Sequence, residues 1–505
     1  MPHVPLAFLV EKPELWLPGP WLLCVGVAAG LILLAAAFGI VRLISRSTAE
    51  VLWATACERT MQWVLGWAVC LSVVAVVGAF FVPTPVARGV FESLVRIPTV
   101  KSQTWDVNVP PGVDRTPLEI RVPLADIVSM KMTSDGPLSV NNTVAQGEGP
   151  ENVYFVSPQR SAEWDRANNP LDRRLAAWTV SNTTDREVTL SIDVEAGVEY
   201  PEAFTMLYAA ATLLVVVAAY VAIRLAMPKV SAIAMASAQE TMSQWLFWLV
   251  LVFGVLLLKP VLLPVPSLMH IPYNTFGEDI KMLKQGGVRI VAVLATIVAL
   301  WSASTSISEE LEGRTALTLL SKPIGRRQFV LGKFLGVVWP TVVMTLVLGS
   351  LLLWTIASKV VYDMRDMAEN VEVTWQLCHS EMARTAPAIL LGLFGTIVLS
   401  AIGVALSTRL PMLANLVICV SVYALGHLAP LVVQSSEGKF PIVNFVGQLI
   451  ATILPVLDHF DVPGAVVGNA DVPPSYLAWS AVYATLYSAT AIVFALAMFE
   501  DRDLA

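Results

Sequence analysis

Nine stretches of about twenty predominantly apolar residues recur along the chain, at roughly 21–44, 62–82, 204–227, 244–266, 287–305, 330–357, 386–408, 412–433 and 476–498. In hydrocarbon a backbone must satisfy its own N–H and C=O groups, and about twenty helical residues cross a core of about 30 Å. The recurrence restricts the chain to an all-α polytopic bundle of about nine transmembrane helices. Composition agrees, because 56% of the 505 residues are hydrophobic and only 14% are charged, against about 25% charged in a soluble domain. A net charge of −7 argues against a nucleic-acid surface, and no basic–aromatic tract occurs. Glu11 and Glu14, rather than a basic cluster, precede the first apolar run, unlike a secretory leader. Cys24, Cys70 and Cys419 lie in apolar runs, Cys57 beside one and Cys378 in an expected outer loop, so no disulfide framework is implied.

Between the second and third runs lies a polar segment, 84–203, long enough to fold by itself. Leu118–Val122, the stretch from Trp178 and Glu187–Val194 alternate as strands do, with Asn-Asn, Asp-Gly and Pro-Pro between them. A small antiparallel sandwich is expected, with a turn from Asn182 to Asp185. Asn141 and Asn182 sit in glycosylation sequons.

Ile307 to Phe334, ISEELEGRTALTLLSKPIGRRQFVLGKF, is charged and helix-prone between two apolar runs. Its charges place it in water. Glu309, Glu310 and Glu312 favour the start of a helix and can meet basic residues on a partner. Leu311, Leu317, Leu319 and Leu320 supply a packing face, Pro323 ends the helix, and Gly325 lets the chain turn. Arg326, Arg327 and Lys333 are then expected at the inner headgroups, anchoring the next span. An ordinary loop whose charges only set topology would explain the basic half but not the acidic start and the Leu-Leu-Ser-Lys-Pro-Ile turn.

This pattern, an acidic pair, Glu312-Gly313-Arg314, Leu319-Leu320-Ser-x-Pro323-Ile, then Arg and Gly-Lys, resembles the cytoplasmic coupling loop of type-2 ATP-binding-cassette (ABC) permeases. The resemblance covers about Lys229 to Ala505, and the ending Phe499-Glu-Asp-Arg502-Asp503-Leu504 is similar to the tail of many such permeases. It implies a permease core of six spans in 229–505, with coupling loop 306–328 docking on a separate ATPase through Glu309, Glu310, Glu312, Gly313, Arg314, Leu319, Leu320 and Pro323. Residues 1–83, carrying two spans, the β-rich domain 84–203 and the third span at 204–228 lie outside that core. The resemblance further implies a homodimer or heterodimer of permeases in a bacterial plasma membrane. ATP and Mg would be held by the partner, with no cofactor on this chain and export as the direction of transport. The rival reading is a non-transporting scaffold that relays ATPase motion to an extracytoplasmic protein through the outer domain.

With the coupling loop inside, the N-terminus and 84–203 fall outside and the C-terminus inside. Arg42, Arg46, Arg59, Arg224, Lys229, Arg314, Lys322, Arg326, Arg327, Arg409 and Arg502 then face the cytoplasm, as the positive-inside bias requires. Lys281, Lys284 and Arg289 fall on the wrong side, in a short loop after the fourth span. Ala54–Trp63 lines up with Ala236–Trp245, each copy running straight into a span. The match reads as a helix lying on the inner leaflet with Trp63 or Trp245 at headgroup depth, or as shared interfacial composition.

Gly325 and Gly332-Lys333 lack phosphate-loop spacing, and Phe334 stands where Ser or Thr is required, so the chain is not expected to hydrolyse ATP. Lys259 near a span end is expected to snorkel. His427 within the eighth span is expected to hydrogen-bond between helices. Asp458, His459 and Asp461 read as solvated charges of an outer re-entrant turn rather than a metal site. Nearly all the spans lack Asp and Glu, which disfavours proton- or sodium-driven carriers and intramembrane hydrolases.

Overall fold

The computed structural model describes residues 13–118, 127–144, 152–165, 175–258, 279–312, 325–366, 373–436, 445, 454–468 and 470–500. It divides into two units, one of 1–82 with 205–505, the other of 83–204.

The first unit is helical: α1 Pro18–Ile44, α2 Arg46–Ala56, α3 Arg59–Gly78, α5 Phe204–Ala226, α6 Pro228–Ser243, α7 Trp245–Leu258, α8 Asp279–Glu312, α9 Arg326–Asp366, α10 Trp375–Ser407, α11 Met412–Ser436 and α12 Pro474–Glu500; Thr84–Arg96, α4, belongs to the second unit. Local chemistry sets several boundaries. Proline opens α1 and α6, where its missing N–H costs no intrahelical bond. Ser45 and Thr374 cap α2 and α10 by accepting from the amides of Thr48 and Leu377. Among the described residues seven helices are long and apolar enough to cross a membrane, or eight if α6 and α7, bent by 63° at Gln244, form one broken span. Helix α11 is expected as a span; its apolar part, Met412–Leu428, is shorter than those seven.

Small residues bring these helices together. A Cβ on Gly26 would lie 2.5 Å from the Met206 carbonyl, and Gly30 meets Ala210. That small-x-x-x-small face lets α1 and α5 approach at backbone distance, the usual means of helix association in lipid. Trp21 donates from Nε1 to the Ala75 carbonyl at 2.9 Å, fixing α1 to α3. A continuous core then joins Cys24 and Met61 of the N-terminal helices to Leu294, Met344 and Ile389 of α8, α9 and α10. Cys378, expected in an outer loop, is buried inside α10, and all five cysteines are free.

The second unit is a β-sandwich preceded by α4, Thr84–Arg96. Its strands are β1 Gln103–Val109, β2 Thr116–Leu118, β3 Ile127–Ser134, β4 Leu138–Val144, β5 Asn152–Val156, β6 Ala162–Asp165, β7 Leu175–Ser181 and β8 Val188–Ala196. They form two antiparallel four-stranded sheets, ordered β1-β8-β3-β6 and β2-β7-β4-β5. Alternation places Val188, Leu190, Ile192 and Val194 of β8 inward, against Met130, Met132, Val140, Trp164 and Trp178. Trp164 meets Trp178 edge-on at 5.4 Å. The Asn182–Asp185 turn is built on a buried asparagine, 1% exposed. Its Nδ2 donates to the carbonyls of Val109 and Arg186, and its Oδ1 accepts from the Thr184 amide. The asparagine of that sequon is thus buried in the folded domain, while Asn141 lies in the middle of β4, paired on both sides.

Candidate functional site: the α8–α9 levers and their polar ties

Helices α8 and α9 contain 34 and 41 residues, or about 51 and 62 Å at 1.5 Å per residue, well beyond a hydrocarbon core of about 30 Å. Tryptophans mark where the excess lies. Trp301 of α8 donates to Gln244 Oε1 at 3.0 Å, and Trp339 of α9 donates to the Thr60 carbonyl at 3.1 Å. Trp248 donates to the Met242 carbonyl at 3.0 Å, and Trp63 pairs with Trp248 at 5.0 Å. Indole N–H groups thus gather at one level, beside the helix breaks at Cys57–Glu58 and Gln244, as expected of interfacial tryptophans. Beyond it, α8 continues from Trp301 to Glu312 and α9 reaches back from Trp339 to Arg326, about 16 and 20 Å. There the two levers pack against the ends of α10 and α12 through Ile307, Phe329, Val404 and Phe499, and they bracket residues 313–324.

Of the sequence-predicted coupling residues, Glu309, Glu310 and Glu312 belong to the last turn of α8, whereas Gly313, Arg314, Leu319, Leu320 and Pro323 lie outside the described residues, as does Lys259. The helix that begins at Asp279 therefore runs through positions 309, 310 and 312 instead of starting with them, so these acidic residues occupy its last turn and not a favourable N-terminus.

The basic residues are placed differently from one another. Arg326 donates to the Phe499 carbonyl at 3.4 Å and Arg409 to the Met498 carbonyl at 2.7 Å, so two guanidinium groups cap the final helix, complementing its dipole. Phe499 stacks on Phe329 at 5.9 Å. Arg327 is exposed. Lys333, expected at the headgroups, is only 3% exposed, with its ammonium 5.9 Å from the Phe329 ring; it packs inside the lever. Gly332, beside it, meets Ile233 of α6, and Gly336 meets Ser237 and Ala234. Here α6 buries Val230, Ile233 and Ser237 along α9. Trp245 opens α7 and is 73% exposed. The two matched decapeptides each straddle a helix break, and their helices meet through Trp63 and Trp248.

Three groups of polar residues escape a reading of the sequence. Near the tryptophan level, Glu58 accepts from Tyr220 at 2.7 Å and from Arg224 at 3.0 Å, and Thr60 bonds Tyr220 at 2.7 Å. At the other end, Lys284 pairs with Glu381, Arg289 with Asp461 at 2.9 Å, and Arg384 with Asp471 at 3.1 Å. Lys281, Lys284 and Arg289 lie in the first turns of α8, not in a loop. His379 forms a 2.7 Å hydrogen bond with Thr205.

Leu457 and Phe460 insert between α10 and α11, close to Gly426 and Gly395. Asp458 and His459 are exposed, and Asp461 pairs with Arg289. Among the described residues no group of three or more His, Cys, Asp or Glu is placed to hold a metal. His427 bonds the Tyr423 carbonyl of its own helix at 3.0 Å, and among the described residues it makes no hydrogen bond to another helix.

Residues 273–504 match the family model described as ABC-2 family transporter protein. This segment belongs to the ABC-2 transporter family. No curated protein matches the chain. The ABC-2 domain starts just ahead of α8 and takes in both levers, α10, α11 and α12. That segment therefore supports a membrane transport component of the ABC-2 type, in a chain with seven or eight helices, among the described residues, long and apolar enough to cross a membrane.

Proposed function

We propose that the chain moves a substrate out of the cytoplasm using ATP hydrolysed by a separate ABC ATPase, which docks on 306–328 at the tip of the α8–α9 levers. The single observation that carries this reading is the length of the two levers within an ABC-2 domain. A rigid-body stroke at their tip is transmitted through packed helix pairs, because close-packed interiors shift between discrete arrangements rather than deform. The tip carries Glu309, Glu310 and Glu312 at the end of α8, a negative group suited to basic residues on a partner. Two permeases side by side would form the pathway. The proposed orientation puts the tip inside a bacterial plasma membrane and 84–203 outside.

The test is recovery of tagged chain in mild detergent together with its ATPase. Glu309→Lys combined with Glu310→Lys is expected to abolish co-purification. ATPase recovered equally well with the reversed charges would overturn docking at this tip.

A second reading, relay of the ATPase stroke to an extracytoplasmic partner, is favoured by the independent core of the β-sandwich. Deleting 84–203 while keeping the helices separates the two: substrate flux survives in a transporter, whereas a relay loses all activity.

A further inference from the structure

Between the two helix breaks at the tryptophan level lies a cleft with about 140 Å³ of room for small molecules. Arg59, Thr60 and Trp63 line it from the start of α3, and Gln239, Ser243 and Trp248 from the α6–α7 break. We propose that this cleft binds the phosphate group of an anionic membrane lipid.

Charge is the first argument. Arg59 is the one charged residue lining the cleft, among the described residues, and it is exposed. The neighbouring carboxylate, Glu58, is committed elsewhere, to Tyr220 and Arg224. The positive charge at the mouth is thus uncompensated by that neighbour. Arg59 also opens a 20-residue helix, so the dipole of α3 adds to its attraction for an anion. A guanidinium with hydroxyl and amide groups around it matches phosphate oxygens in geometry as well as in charge.

Position is the second argument. The indoles of Trp63 and Trp248 form the cleft's walls, and Trp301 and Trp339 are bonded beside it. Tryptophans concentrate at headgroup depth, where a free anion is scarcer than a lipid phosphate. From the cleft, Trp245, Leu249, Val252, Phe253 and Leu256 present an exposed apolar strip along α7. A lipid held by its phosphate at Arg59 would lay its chains along that strip. The inference requires these helices to lie in a membrane and is independent of the transport reading.

Full-length chain, stripped of lipid in detergent, is titrated with phosphatidylglycerol, with diacylglycerol of the same chains, and with inorganic phosphate, and bound species are counted by native mass spectrometry. Phosphatidylglycerol is expected to bind and diacylglycerol not. Arg59→Gln should weaken binding about five- to tenfold, Arg59→Lys should retain most of it, and Ser243→Glu should abolish it by like charge. Arg46→Gln, which removes a cation from α2 rather than from the cleft, should change nothing. Equal binding by Arg59→Gln and the natural chain would overturn the proposal, as would equal binding of diacylglycerol or an equal loss in Arg46→Gln. Displacement of phosphatidylglycerol by millimolar phosphate would overturn the lipid assignment in favour of a free-anion site.

Discussion

Lys284 of α8 and Glu381 of α10 form an ion pair whose side chains are 1% and 10% exposed. The ammonium also lies 3.5 Å from the Val466 carbonyl, so the pair ties two helices and the segment between α11 and α12 at one point. Removing one partner leaves a buried charge uncompensated, which costs about 3–5 kcal/mol, whereas replacing both by apolar residues is often neutral or stabilising. Lys284→Met and Glu381→Met should each lower the thermal unfolding midpoint in detergent, and the double variant should regain most of the loss. Additive losses in the double variant would show that the two residues act independently.

That pair also marks where sequence reading ends. Apolar runs reveal α1, α3, α5 and α8–α12 because lipid imposes a length and a composition on each. Strict alternation likewise reveals β8, whose inward residues are all aliphatic. Lys284 appeared only as a cation on the wrong side, and Glu381 fell outside the apolar windows. Nothing local shows that helices of 34 and 33 residues bring them together. Periodicity reports a face, not the partner opposite, so Lys333 read as an anchor although it is buried beside Phe329. The misplacement of position 284 was still a signal, because an unpaired cation there would be costly.

The Glu58–Arg224 pair holds α3 to α5, and its partners Tyr220 and Thr60 reach Trp339 of α9, through a 4.6 Å ring contact and an indole bond. Glu58→Gln and Arg224→Gln should each destabilise the chain by about 1 kcal/mol. Their double-mutant cycle should yield a coupling of similar size, above the value for exposed pairs because both groups are half-buried or less exposed. A coupling indistinguishable from zero would reduce the pair to incidental proximity. Tyr220→Phe, which removes one hydroxyl from the same group, should show coupling to both.

Asn182 satisfies two carbonyls and one amide from a single side chain at 1% exposure. Asn182→Ala would orphan those buried groups, at about 1–3 kcal/mol, and should unfold the β-sandwich at lower denaturant. In a host that glycosylates, peptide mass analysis of folded protein should find Asn182 unmodified, because its amide is inaccessible. Quantitative modification at Asn182 would contradict the buried turn.

Gly336 lies where α6 crosses the α9 lever, and a Cβ there would stand 2.6 Å from the Ser237 Cβ and 2.8 Å from the Ala234 carbonyl. The obstacle includes backbone, so α6 would have to shift. Alanine gains about 1 kcal/mol of helix propensity over glycine, while overpacking a close helix contact costs about 1–3 kcal/mol. Gly336→Ala should therefore be neutral to destabilising, whereas Gly39→Ala, where a Cβ meets nothing within 4 Å, should be neutral to stabilising. The pair of thermal midpoints in detergent decides the matter by sign. If the levers transmit a stroke, Gly336→Ala should also lower substrate flux per ATP hydrolysed, with ATPase docking intact, because the contact lies about 15 Å along α9 from Arg326. Gly39→Ala should leave that ratio unchanged. Equal ratios for Gly336→Ala and the natural chain would place the transmitted motion elsewhere than the α6–α9 crossing.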